Sequence, residues 1–186
     1  MLNRYGRSFM DTKKETRWQD IVARVVAEYT LLPVVEKRWI SKQLEQIEAL
    51  QRQLDQLFSA ADGEAVCRDC RGDCCAHGHN HLTLANLLSF VCREQPLPRA
   101  DFSHTCPFLG SSGCLLAVES RPYNCVTFIC DKIEAALTPS EKTDFYCCDR
   151  RLRNLYREFA ARYPGAAMTG LLIADQRLAG GAFLCD

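Results

Sequence analysis

Apolar side chains recur every three to four positions from Trp18 onward: Trp18, Ile21, Val22, Val25 and Val26. That spacing gathers them on one face of a helix, for which Thr12 or Thr16 could serve as the cap. Leu31-Leu32-Pro33 ends the segment, because proline pushes the residue before it out of helical geometry. A second helix is predicted from about Val34 to Phe58. Ile40, Leu44, Ile47, Gln51, Leu54 and Phe58 follow a spacing of 4, 3, 4, 3 and 4, a heptad seam that Leu50 and Leu57 widen. Such a seam can pack on its own domain or on the preceding helix, or it can pair with a second chain. Ala60-Ala61-Asp62-Gly63 closes the helix, with Gly63 as its stop.

Beyond Gly63 the pattern loosens. Thr83 is expected to cap a short helix, Leu84 to Cys92, with Leu84, Leu87, Leu88 and Val91 on one face. Pro96 and Pro98 mark a loop. Another short helix is predicted from Thr127 to Leu137. Thr138-Pro139-Ser140-Glu141 then combines a cap, a proline at the first helical position and a glutamate three residues after the cap. The helix it opens should run to about Tyr163 and stop at Pro164-Gly165. Its apolar stripe is Phe145, Cys148, Leu152, Leu155, Tyr156 and Phe159. The tail, Met168 to Asp186, reads as a small hairpin or a packed irregular segment. The predicted fold class is therefore mostly α. An N-terminal helical pair (1–62) precedes an irregular Cys-rich metal-binding module (63–137), and a C-terminal helix and tail (138–186) pack back on it.

Composition excludes several function classes. A 186-residue chain that is 47% hydrophobic and 25% charged is not a long disordered protein. The 23 basic and 23 acidic residues cancel, which argues against a generally cationic binder of nucleic acid or of membrane surfaces. No apolar run approaches the roughly 20 residues of a membrane-spanning helix. The N-terminus has no apolar core or small-residue cleavage site of a secretory signal, so a cytoplasmic location with reduced thiols is expected.

What departs from the ordinary is cysteine. The chain has 12, of which 11 lie between Cys67 and Cys148, and the first 66 residues have none. In a reducing compartment this density points to metal rather than to disulfides. The first cluster is Cys67, Cys70, Cys74 and Cys75. Two cysteines three positions apart can turn both sulfurs onto one ion, and Gly72 supplies backbone freedom for the wrap. Cys74 and Cys75 point different ways on a regular backbone, so one of them could bind a different ion or none. The second cluster is Cys106, Cys114, Cys125 and Cys130, with Gly110 and Gly113 permitting a tight turn inside it. Eight thiols suffice for two four-thiolate sites, or for one cluster with spare thiols. Soft thiolates select zinc, copper(I) or iron–sulfur clusters and exclude magnesium and calcium.

The order of these residues resembles the YkgJ-type CxxCxxCC family, described as a zinc- or iron-chelating cysteine-cluster domain. The resemblance runs from Cys67 to Cys130. It is carried by Cys67, Cys70, Cys74 and Cys75, by Leu82-Thr83 opening a helix, by Cys106-Pro107-Phe108-Leu109, by Cys114, by Arg121-Pro122 before Cys125, and by Cys130. The chain departs from the family pattern in having three residues between Cys70 and Cys74, and Val126 where relatives often carry Arg. The resemblance implies metal binding, zinc or iron–sulfur, and no particular reaction.

Other residues are weighed against this set. His77, His79 and His81 would share one face of an extended segment. They read as a polar surface loop, with His77 the substitute should a thiol be missing, and His104 a weaker one. Cys148 lies on an apolar stripe and Cys92 ends an apolar helix, so both read as core. Cys147 could reach the metal region or be inert, and Cys185 reads as a free thiol. Arg150, Arg151, Arg153 and Arg157 form a local basic patch. The leading expectation is a metal-binding protein without an assignable reaction. Two alternatives are an iron–sulfur oxidoreductase or metal-dependent modifying enzyme, and a metal- or redox-sensing module that forms a homodimer or meets a protein partner through the Ile40–Phe58 helix.

Overall fold

The computed structural model describes residues 9–70, 73–76, 82–111 and 113–185. Helix α1 spans Phe9–Leu31 and α2 spans Val34–Ala60. They form the expected pair, though α1 starts well before Trp18. Pro33 is the N-cap of α2, as its fixed φ and missing N–H allow. The stop of α2 differs from expectation. Asp62 takes the left-handed conformation, and Gly63 opens the next helix, α3 (Gly63–Asp69). Glycine is needed at 63 for a different reason: a Cβ there would stand 2.6 Å from the Phe58 ring.

The Cys-rich segment is less irregular than the sequence suggests. After α3 come α4 (Asp73–Ala76), α5 (Leu84–Cys92), a two-stranded hairpin of β1 (Leu109–Gly110) and β2 (Gly113–Cys114), and a 3-10 turn at Val118–Ser120. The helix predicted from Thr127 to Leu137 is shorter, α7 (Asp131–Ala136), and a separate unforeseen helix, α6 (Tyr123–Thr127), precedes it. Phe128 to Cys130 between them is extended, and Cys130 becomes the N-cap residue of α7. Helix α8 runs from Pro139 to Arg162, and Thr138 and Glu141 form the predicted capping box. The tail is neither hairpin nor irregular. Its Leu171–Leu178 segment is a ninth helix, α9, so the described residues are mostly α-helical.

One contiguous core joins all three predicted segments. The heptad seam of α2 is spent inside the chain: Ile40, Leu44, Ile47, Gln51 and Leu54 are all buried. They face α8, the 3-10 turn and α5. Trp39 packs edge-on to Phe159 of α8 at 5.1 Å. Outside the core, Glu36 of α2 binds Arg162 and Tyr163 at the end of α8. The C-terminal tail is strapped to α1, where the Glu28 carboxylate accepts the Phe183 and Leu184 amides and Asp175 binds Arg17 and Arg24. The large apolar side chains left exposed include Leu31, Val34 and Val35, at the α1–α2 turn rather than along the seam. Among the described residues, no helix is long and apolar enough to cross a membrane.

Candidate functional site

Each of the twelve cysteines is a free thiol. Local folding brings the eight predicted ligands together in two stages. Cys67 and Cys70 sit three apart, at the end of α3, and α3 packs on α7. Cys130 caps α7, so it arrives beside α3. Cys74 and Cys75 lie in the one-turn helix α4 that follows. On the other side, Cys106 precedes the hairpin and Cys114 ends it, paired in register with Leu109. Cys125 lies in α6, where its amide bonds the Pro122 carbonyl at 2.9 Å.

The electrostatics of the thiols record which of them are neighbours. Burial raises the Cys67 thiol first, and Cys70, Cys74 and Cys130 then raise it further. The Cys125 thiol is pushed up to about 12, first by desolvation and then by Cys114, Cys106 and Cys75. Cys125 as a residue nonetheless remains exposed. Cys75 stands between the two groups. Its thiol is raised by burial, by a charge effect and a hydrogen bond from Cys74, and by Cys114 and Cys67. Cys106 is raised by burial, with Cys114 adding to it. All eight predicted residues thus belong to one connected set of neighbours. Within it, Cys70, Cys74 and Cys130 act on Cys67, and Cys114, Cys106 and Cys75 act on Cys125, with Cys75 linked to both groups through Cys67, Cys74 and Cys114. Arg121 is the opposing charge: it favours the thiolates of both Cys67 and Cys125, and its Nε donates to the Leu116 carbonyl at 3.1 Å.

The remaining cysteines keep other company. Cys148 is buried on the α8 stripe, and its Sγ meets Gln53 Oε1 at 3.4 Å. The Cys92 thiol is raised mainly by burial and shares a hydrogen bond with Tyr29 of α1. Cys147 and Cys185 are exposed. His104 is exposed two residues before Cys106. His77, His79, His81 and Gly72 lie outside the described residues. The α8 arginines are all on the exposed face, and Arg153 is engaged: its Nε donates to the Tyr123 hydroxyl at 2.9 Å and its Nη2 to Asp149. Tyr123 in turn donates to Asp149. This tie holds α6, and with it Cys125, to α8.

Sequence reasoning missed the buried polar side chains under the site. Asn86, at the third position of α5, closes a capping box with Thr83. Its Nδ2 also reaches the Ser120 and Arg121 carbonyls at 3.3 and 2.9 Å and the Tyr156 hydroxyl at 3.1 Å. A polar residue inside the heptad seam, Gln51, was the one visible sign, since an amide there must find a partner. Among the described residues, no group of three or more Cys, His, Asp or Glu side chains stands as a ready-made ion site. An ion bound here would have to draw the thiols closer. Comparison with family models, with curated proteins and with solved structures found no match.

Proposed function

We propose that the chain is a metal-binding protein of the YkgJ-type cysteine-cluster kind, holding zinc or an iron–sulfur cluster on Cys67, Cys70, Cys74, Cys75, Cys106, Cys114, Cys125 and Cys130. The observation that carries the reading is the sorting of the thiols. The cysteines chosen from sequence spacing feel one another's charge in a chain of pairs running from Cys130 and Cys67 through Cys75 to Cys125, while Cys92 and Cys148 pair elsewhere. The donor set fits the group: it is all sulfur, and its two halves of four match the four ligands that zinc and iron–sulfur clusters take. Cys74 serves the half with Cys67, Cys70 and Cys130, and Cys75 the half with Cys106, Cys114 and Cys125. Zinc so held supplies folding energy, whereas an iron–sulfur cluster supplies electron transfer.

The chain's own contribution is threefold. It spaces the thiols on short helices and a hairpin, keeps them at the surface where an ion can enter, and sets Arg121 against the charge they acquire on deprotonation. The reading is tested by metal analysis and a visible spectrum of protein purified without oxygen. About two zinc ions per chain and a colourless sample are expected for the zinc form. Iron with acid-labile sulfide and broad visible absorption are expected for the cluster form. Protein that binds neither metal, even after reconstitution of the reduced thiols, overturns the reading.

A further inference from the structure

The turn that joins Cys114 to Cys125 is held from below by two buried amides. The Arg121 carbonyl accepts from Gln51 Nε2 of α2 at 2.5 Å and from Asn86 Nδ2 of α5 at 2.9 Å. The neighbouring Ser120 carbonyl accepts from the same Asn86 amide at 3.3 Å. Both amide side chains are buried, Gln51 completely. Two donors on one carbonyl fix its direction, because they occupy both lone pairs. Pro122 follows at once as the N-cap of α6, and Cys125 lies within the first turn of that helix. In the other direction the Arg121 guanidinium ties back to the Leu116 carbonyl, two residues after Cys114. The position of both thiols therefore depends on where the Arg121 peptide is held.

Gln51 is costly as a purely structural choice. It occupies a heptad seam position that an apolar residue would fill, and its Oε1 has no hydrogen-bond partner in the buried interior. A buried acceptor left without a partner destabilises a fold. The partnerless oxygen counts against the amide for stability alone, and what the amide does at that position is hold the Arg121 carbonyl.

We propose that Gln51 and Asn86 form a latch that positions Cys114 and Cys125 for ligation, Gln51 being present for site geometry rather than for stability. The consequence for metal rests on the metal-binding reading above; the positioning itself does not. The test is Gln51→Met, which keeps the volume, removes the orphan oxygen and deletes one of the two donors. Asn86 is left intact because it also caps α5. In the reduced, metal-free protein, alkylation of each cysteine is followed by mass spectrometry. Gln51→Met is expected to accelerate labelling of Cys114 and Cys125 several-fold, to leave Cys67 and Cys70 unchanged, and to leave the melting temperature equal or higher. Zinc affinity, measured by competition with a chromophoric chelator, is expected to fall by about tenfold, the lower end for a residue that orients a ligand from outside the coordination shell. Unchanged labelling of Cys114 and Cys125 in a folded variant overturns the latch, as does a clear loss of stability with uniform acceleration at every cysteine. Wild-type protein that binds no metal, with the selective labelling change still present, overturns the metal reading and leaves the latch standing.

Discussion

A Cβ built on Gly165 would lie 2.6 Å from the Phe183 ring and 2.8 Å from the Phe183 Cα. Phe183 is fully buried, and its own amide and that of Leu184 are fixed on Glu28, so neither ring nor backbone can step aside. Gly165→Ala is therefore expected to destabilise the protein by about 1–3 kcal/mol, the usual cost of overpacking a core. Chemical denaturation measures this directly, and a change below about 0.5 kcal/mol, the range of ordinary surface substitutions, would mean that the tail shifts freely. The thiols raise a different question at the same scale. That Cys67, Cys70, Cys74 and Cys75 lie together outside the core was legible from spacing alone, because they crowd too closely to serve one. Which way Cys74 and Cys75 each face was not, since adjacent residues differ only in the direction that the backbone of α4 gives them.

At the scale of the element, the start of α8 and its far end are held by different chemistry. Thr138 accepts the Glu141 amide, and the Glu141 carboxylate accepts the Thr138 amide at 2.8 Å. Thr138→Ala is expected to cost about 1 kcal/mol, as the loss of an N-cap does. At the other end Glu36 accepts from Arg162 at 2.5 and 2.9 Å and from Tyr163 at 2.7 Å. The Arg162 guanidinium and the Tyr163 hydroxyl together hold the Glu36 carboxyl down to about 2, against their partial offset by burial. A carboxyl lowered in the folded state stabilises it fully above the unfolded value of about 4.3 and loses that contribution as pH falls toward 2. Glu36→Gln is expected to flatten the stability profile in that acid window and to leave its shape above pH ~5 unchanged, as a denaturation series across pH would read out. The elements with strong local signals, α2, α5 and α8, were legible to within a few residues because each has an apolar stripe and a cap or breaker. Those that were missed or misplaced, α6, the late start of α7 and the helix α9, carry no such signal. Phe128 and Cys130 are extended where α7 packs on α3, and Leu171–Leu178 is helical where Asp175 and the Leu172 carbonyl dock on α1 through Arg17 and Arg24. Both are decisions of tertiary packing, which overrides weak local preference.

The whole molecule sets what removal of the proposed metal would do. Leu84, Leu87 and Leu88 of α5, Leu116 of the turn before Arg121 and Tyr123 of α6 belong to the same buried cluster as α1, α2 and α8. The Cys-rich segment thus leans on a core that does not need the thiols. Its outer parts, α3, α4 and the hairpin, contribute much less to that cluster: none of the cysteines at 67, 70, 74, 75, 106 or 114 is fully buried. Most small metal modules collapse without their ion because they have no core of their own. Here a graded response is expected. A strong chelator should release the 63–76 and 106–114 backbone to fast hydrogen exchange, while α2, α5 and α8 keep their protection, because their burial is apolar and independent of the ion. The far-ultraviolet signal should fall only slightly, since α3 and α4 are the short helices at stake. Loss of protection across α2 and α8 on chelation would mean that the metal holds the entire fold. Unchanged exchange at 63–76 would mean that the thiol set is rigid without any ion. The latch of Gln51 and Asn86 places the boundary between the two regimes at the Arg121 peptide, so exchange should change on the Cys114 side of the turn sooner than at Tyr123, which α8 still grips through Asp149 and Arg153.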